Sequence, residues 1–178
     1  MRLPKGQYLI KDFIDVTIEK SIPQLNKLEI IYKDVKKTLL YDELLGLIDT
    51  KVTLDMHCVD GWSVANNEFE GISINTIAYL VNAVSFKYIA LQSSGGYKSF
   101  VFNDDSINSF ICLKMNEKPL SKPRGFPIRF VAPNLYAYKW VKYLEKIEFT
   151  DDKPYGYWED RGYSQRARVN LQERFEKN

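Results

Sequence analysis

Apolar and polar residues alternate over Lys51-Val-Thr-Leu-Asp-Met-His57, the pattern of a half-buried strand, and this strand leads straight into Cys58. Gly61-Trp-Ser63 reads as a turn that follows at once. Upstream, Leu28–Tyr32 and Lys37–Leu40 read as two strands joined by a turn at Asp34–Lys37. Leu44, Leu45 and Leu47 give a short helix over Tyr41–Leu47, with Asp42 and Glu43 in its first turn. Downstream, Glu68–Asn75 is extended, Asn75–Ala83 helical and Phe86–Gln92 strongly strand-like. The Ser93-Ser-Gly-Gly96 loop can approach a ligand closely, since glycine has no side chain in the way. Tyr97–Phe102 and Phe110–Met115 are further strands. Pro119, Pro123, Gly125 and Pro127 then punctuate a loop, and Ile128–Pro133 is a strand stopped by its proline. Tyr136–Tyr143 is a helical turn or bend and Leu144–Phe149 a last strand.

Both ends differ from this pattern. Residues 1–24 form an irregular arm with Pro4, Gly6 and Pro23, yet its apolar residues (Tyr8 to Ile18) are too many to leave in water. The arm is expected to lie across the domain. Residues 166–178 are a charged tail. With no repeat, low-complexity tract or linker, residues 1–178 read as one domain. Many short strands with few short helices predict an α+β fold with mixed or antiparallel sheets.

Composition narrows the function classes. A net charge of +2 is too small to argue for nucleic acid. No apolar run approaches the roughly 18 residues of a membrane span. The N-terminus has neither an apolar signal core nor a twin-arginine pair, which predicts a cytoplasmic protein. Two cysteines far apart make a poor disulfide framework, and in a reducing compartment a thiol stays free to ligate a metal.

Cys58 sits between the single histidine, His57, and Asp60, in a turn rather than in a continuing apolar strand. The bland reading is a buried core thiol; the alternative is a soft ligand for a metal, or a nucleophile. Cys112, mid-strand in Phe-Ile-Cys-Leu, reads as core. One His and two Cys do not close a tetrahedral zinc site without carboxylates. A cysteine protease needs a histidine opposite the thiol, whereas on a strand His57 points to the other face. The basic residues of Arg124-Gly-Phe-Pro-Ile-Arg129 and Tyr138-Lys-Trp-Val-Lys142 are either a solvated face or a phosphate-holding set. Nucleic acid would use the same residues, but the patch is small.

His57-Cys-Val-Asp-Gly-Trp-Ser63 with Phe69-Glu-Gly71 resembles the metal-ligand segment of the sulfite oxidase family of molybdopterin-binding oxidoreductases. Met115-Asn116 with Pro119-Leu120, then Gly125-Phe-Pro-Ile-Arg129 and Val131-Ala-Pro133, resembles a second block of that family. Tyr138–Leu144 and Gly156–Tyr163 resemble a third and fourth, in family order. The resemblance implies a sulfite oxidase-type molybdopterin-binding domain, with mixed β-sheets and short helices. It further implies a molybdenum–molybdopterin cofactor, with Cys58 as the metal ligand. His57, Ser93, Arg124, Arg129, Trp140, Val141 and Lys142 match positions that hold the pterin and its phosphate, and Tyr97 matches a tyrosine near the metal's oxo group. The implied reaction is two-electron oxygen-atom transfer with a small-molecule oxo donor or acceptor. Electrons would pass to a separate carrier protein, since the sequence has no haem or iron–sulfur motif. Val59-Asp-Gly-Trp-Ser63 replaces the arginine-rich run that serves sulfite binding, so sulfite itself is not the implied substrate. The alternative is a non-catalytic binding module that keeps the fold.

Overall fold

The computed structural model describes residues 3–14 and 26–176. Two sheets share one core. The first is built on a hairpin of β4 (Thr50–His57) and the long β5 (Trp62–Ser73). On its other side β5 pairs antiparallel with β8 (Phe110–Met115), which in turn pairs with β10 (Arg129–Val131) and with the two-residue β9 (Lys118–Pro119). A two-residue β1 (Tyr8–Leu9) joins the same sheet, parallel to Trp62–Ser63. The second sheet has the order β3 (Val35–Leu40), β2 (Lys27–Tyr32), β11 (Leu144–Thr150), β6 (Tyr88–Ser93) and β7 (Lys98–Phe102). Its β11–β2 pair is parallel and the others antiparallel. Only two short α-helices occur among the described residues, α1 (Tyr41–Leu45) and α2 (Ile74–Tyr79), with four single 3₁₀ turns. The α+β class with mixed sheets is therefore the observed one.

The segment after Cys58 differs from the sequence reading. The turn is Val59–Gly61, and Trp62-Ser63 already belong to β5, where Ser63 lies opposite His57 and Val64 opposite Met56. Trp62 and Val64 are both 5% exposed, so hydrophobic burial on the sheet outweighs the turn preference of Gly-Trp-Ser. Of the N-terminal arm, residues 3–14 lie against the domain: Tyr8 N–H donates to Gly61 O and Ile10 N–H to Ser63 O, both at 2.9 Å. Residues 15–24 of that segment fall outside the described residues.

Where β5 and β8 meet, the backbones come very close. A Cβ on Gly71 would stand 1.9 Å from Ile111 O, so only glycine fits there. Phe69, Phe110 and Trp140 are buried in the core, with Phe69 and Trp140 edge to face at 6.0 Å between ring centroids. Each such ring contributes roughly 1.5–3 kcal/mol by leaving water. This core is the rigid bed on which the Cys58 turn and the 122–143 segment rest.

Candidate active site

Cys58 caps β4 at the closed end of the β4–β5 hairpin. Its N–H donates to Trp62 O at 2.8 Å, and Gly61 N–H returns to Cys58 O at 3.1 Å. Gly61 has φ +103, a value that favours glycine, and this lets the chain reverse within three residues. Two groups from the chain ends hold the turn from outside. Gln7 Nε2 donates to Cys58 O at 3.0 Å, and Arg174 donates to Val59 O at 2.6 Å and to Gly6 O at 2.7 Å. The thiol is half-buried, and burial pushes its pKa up to about 11. Its Sγ lies 3.7 Å from Oδ2 of the exposed Asp60.

His57 bonds across the hairpin to the residue opposite it. Its Nδ1 is 2.8 Å from Ser63 Oγ, which donates to Gln7 Oε1 at 2.8 Å. Burial holds the imidazole below its usual range, against the opposing pull of Asp55. At neutral pH it is a neutral link in a hydrogen-bond chain that ties the arm to the hairpin.

The cations of the second segment meet the strand that carries Cys58. Arg129, 3% exposed on β10, places Nη2 at 3.6 Å from Met56 Sδ, Nη1 at 3.5 Å from Arg124 O, and its guanidinium 5.6 Å over the Trp140 ring. Arg124 closes the 3₁₀ turn Lys122–Arg124 and reaches Asp12 of the arm at 3.2 Å, with its guanidinium over Phe13. Lys142 donates to Pro123 O at 2.7 Å and packs on Gly125, where a Cβ would stand 2.9 Å from Lys142 Cβ. Arg124, Arg129 and Lys142 are thus joined through one loop. Trp140 and Val141 are core residues: the Trp140 indole N–H donates to Ala132 O at 2.7 Å and Leu135 O at 3.1 Å, and Val141 O accepts from Phe130 N–H. The Trp140 ring lies under the Arg129 guanidinium, and Val141 immediately precedes Lys142.

Ser93, at the end of β6, is 3% exposed and receives Gly95 N–H on its hydroxyl at 3.2 Å. Its own N–H donates to Tyr97 O, closing the glycine loop. Tyr97 donates its phenol to Tyr138 O at 2.7 Å and packs on Tyr157. Burial, then the charge of Glu159, keeps that phenol un-ionised. Tyr138 stacks edge to face on Tyr163, whose phenol is raised by burial and then by Asp60 and Cys58. Tyr163 packs on Tyr138 within electrostatic reach of Asp60 and Cys58.

Lys139 departs from the sequence picture. Within the basic Tyr138–Lys142 stretch it does not face a ligand but is fully buried on Glu159. Sequence reasoning also passed over Gln7, Arg174 and Tyr163. Tyr163 lay in a recognised block, whereas Gln7 and Arg174 act from opposite chain ends and leave no local pattern.

The donor set suits a molybdenum–pterin. A half-buried thiol in a tight turn offers one soft ligand, while three cations gathered on the adjoining loop match an anionic phosphate. Comparison with known proteins gives the family independently of these residues. The model of the oxidoreductase molybdopterin-binding domain matches residues 19–158. The uncharacterized oxidoreductase YuiH of Bacillus subtilis is 31% identical over 162 residues, 81% of either chain. Mitochondrial sulfite oxidase of Rattus norvegicus is 30% identical over 60 residues, covering 34% of this chain and 11% of its own length. The crystal structure of sulfane dehydrogenase SoxCD from Paracoccus pantotrophus shares the fold, with a TM-score of 0.64 at 17% identity, over 76% of this chain and 40% of that one. The chain is therefore a member of the sulfite oxidase-like family of oxidoreductase molybdopterin-binding domains, and its cofactor is molybdenum–molybdopterin.

Proposed function

We propose that this chain is a molybdenum-dependent oxidoreductase of the oxygen-atom-transfer type, with Cys58 as the protein ligand to the metal. The observation that carries this reading is the link Met56–Arg129–Arg124, which ties the strand ending in Cys58 to the cation loop. When bound, the molybdenum centre supplies the two-electron redox step. Cys58 would hold it as a thiolate, giving up the proton that burial now retains. Arg124, Arg129 and Lys142 would neutralise the pterin phosphate, and Ser93 would bond the pterin from the glycine loop. Tyr97, kept neutral and with its one O–H given to Tyr138 O, would orient substrate through its phenol oxygen as an acceptor.

Asp60 argues about the substrate. An anion drawn to about 4 Å from that carboxylate meets roughly 1 kcal/mol of repulsion in water and about 4 kcal/mol in a partly desolvated cleft. That favours a neutral oxo donor or acceptor over an anion such as sulfite. Electrons would be exchanged with a separate carrier protein. Free thiols at both Cys58 and Cys112 fit a reducing, cytoplasmic setting.

The test is metal analysis of protein made in a host that synthesises the cofactor. We expect molybdenum near one atom per chain, lost in Cys58→Ser, while the cofactor-free forms of wild type and variant share one thermal midpoint. A folded wild-type chain without molybdenum overturns the reading and leaves a non-catalytic module with this fold.

A further inference from the structure

Beneath Tyr97 lies a charged pair that the oxygen-transfer chemistry does not use. Lys139 and Glu159 side chains are 0% and 2% exposed, with Nζ 2.5 Å from Oε1. Lys139 also donates to Phe100 O at 2.8 Å and sits 4.5 Å over the Phe100 ring. Ser99 Oγ donates to the same Glu159 Oε1 at 2.6 Å. The second carboxylate oxygen, Oε2, is buried with no hydrogen-bond partner among the described residues. It lies so close to the chain that a Cβ on Gly156 would be 2.3 Å from it.

As a stabilising device this pair is poor. Two desolvated charges seldom repay their lost hydration, and a carboxylate oxygen without a donor repays less. Burial draws the Lys139 pKa down to about 8, with Glu159 pulling it back up. What the pair does achieve is directional. Ser99 and Phe100 belong to β7, which begins one residue after Tyr97. Lys139 ends the 3₁₀ turn Ala137–Lys139, immediately before Trp140-Val141-Lys142. Glu159 belongs to the Gly156–Tyr163 segment that carries Tyr157 and Tyr163.

We propose that Lys139 and Glu159 are positioning residues, a buried clasp locking the strand after Tyr97 and the turn before Lys142 onto the Gly156–Tyr163 segment. That this clasp serves a cofactor rests on the function proposed above. The clasp itself is a property of the chain. Three polar contacts converge on Oε1 and Nζ, so loss of those contacts frees segments far apart in sequence without emptying the hydrophobic core.

Hydrogen exchange on the full chain, with and without cofactor, tests this in Lys139→Met/Glu159→Leu and in Glu159→Gln. The probes are the amides of Ser93, Trp140, Val141 and Tyr157, bonded to Tyr97 O, Ala137 O, Lys139 O and Lys98 O. In the apolar double variant these amides should exchange roughly tenfold faster, with β2 amides unchanged and the thermal midpoint no lower. Glu159→Gln keeps an acceptor for Lys139 and Ser99 and should recover most of the protection. Loss of molybdenum and pterin on dialysis should be faster in the double variant, again by roughly tenfold. Exchange that rises equally everywhere, a double variant that does not fold, or unchanged probe amides would overturn the clasp. A wild type that binds no molybdenum sinks the cofactor reading alone, because the exchange pattern is read in the apo chain too.

Discussion

The β4–β5 hairpin has two ends, and each lies next to one of the two cysteines. At the closed end Cys58 sits half-buried in a reversal whose carbonyls are held by Gln7 and Arg174, side chains brought from the two ends of the chain. At the open end Asp49 N–H donates to Gly71 O at 3.0 Å, and Gly71 lies opposite Cys112, which is 0% exposed. Acidity does not separate the two thiols. Burial raises both, Cys58 to about 11 and Cys112 to about 12. What separates them is access. The closed end leaves its thiol within reach of solvent and is held by long-range polar contacts, while the open end buries its thiol under direct backbone packing. A ligand position therefore needs geometry as well as a reactive element, and the hairpin supplies it at one end only.

The largest effect that can break this contrast is in thiol labelling. A small maleimide should modify Cys58 in the folded apo chain. Cys112 should stay protected by a factor of roughly a thousand or more, set by the opening free energy of the core. Mass spectrometry after timed quenching reads the ratio. Comparable rates at the two thiols would mean that packing at the open end does not protect Cys112, and the comparison would fail.

Next in size is Gly71→Ala. The added methyl would overlap Ile111 O at 1.9 Å and Cys112 Cα at 2.9 Å, both backbone atoms of a central strand. Since neither can swing away as a side chain would, the cost should be about 3 kcal/mol, the upper end for overpacking. Urea unfolding monitored by fluorescence would show it as a lower midpoint at unchanged slope. A loss below about 0.5 kcal/mol, the scatter of surface substitutions, would show that β5 and β8 can part more easily than their packing implies.

The same contrast explains what could be read from the residues alone. Phe110–Met115 emerged with its exact bounds, since a short apolar run between polar turns records its own burial. Lys51–His57 was legible for a related reason, alternating along a face that packs on one side. Trp62-Ser63 misled, because glycine before tryptophan signals a turn locally while the ladder with Met56 and His57 is a tertiary fact. At the site, Cys58 was visible as a thiol in a turn, and Arg124, Arg129 and Lys142 as a cation cluster. Gln7, Arg174 and Glu159 were not, since each meets its partner from a distant segment and no spacing encodes the meeting.

The smallest effect concerns the polar clamp at the open end. The Asp49 carboxylate accepts from Ser73 N–H at 2.7 Å, Ser73 Oγ at 2.9 Å and Thr76 Oγ1 at 2.5 Å, while Ser73 caps α2 by accepting Thr76 N–H. Burial raises this carboxyl's pKa, but the hydrogen bonds from Thr76, Ser73 and Thr50 more than offset it, so the folded value lies below the ordinary one. A depressed carboxylate adds stability above the unfolded pKa, near 3.9, and that share disappears as pH falls through the folded value. Asp49→Asn keeps the shape but replaces one acceptor oxygen with a donor, so at pH 7 it should cost about 1 kcal/mol, the usual worth of such a capping network. Urea midpoints of wild type and variant should then converge as pH drops from about 5 towards 3, because the wild type alone loses a charge-dependent contribution there. A gap that stays constant over that range would assign the clamp to shape rather than charge. The open end would then resemble the closed end, where neutral side chains such as Gln7 do much of the holding.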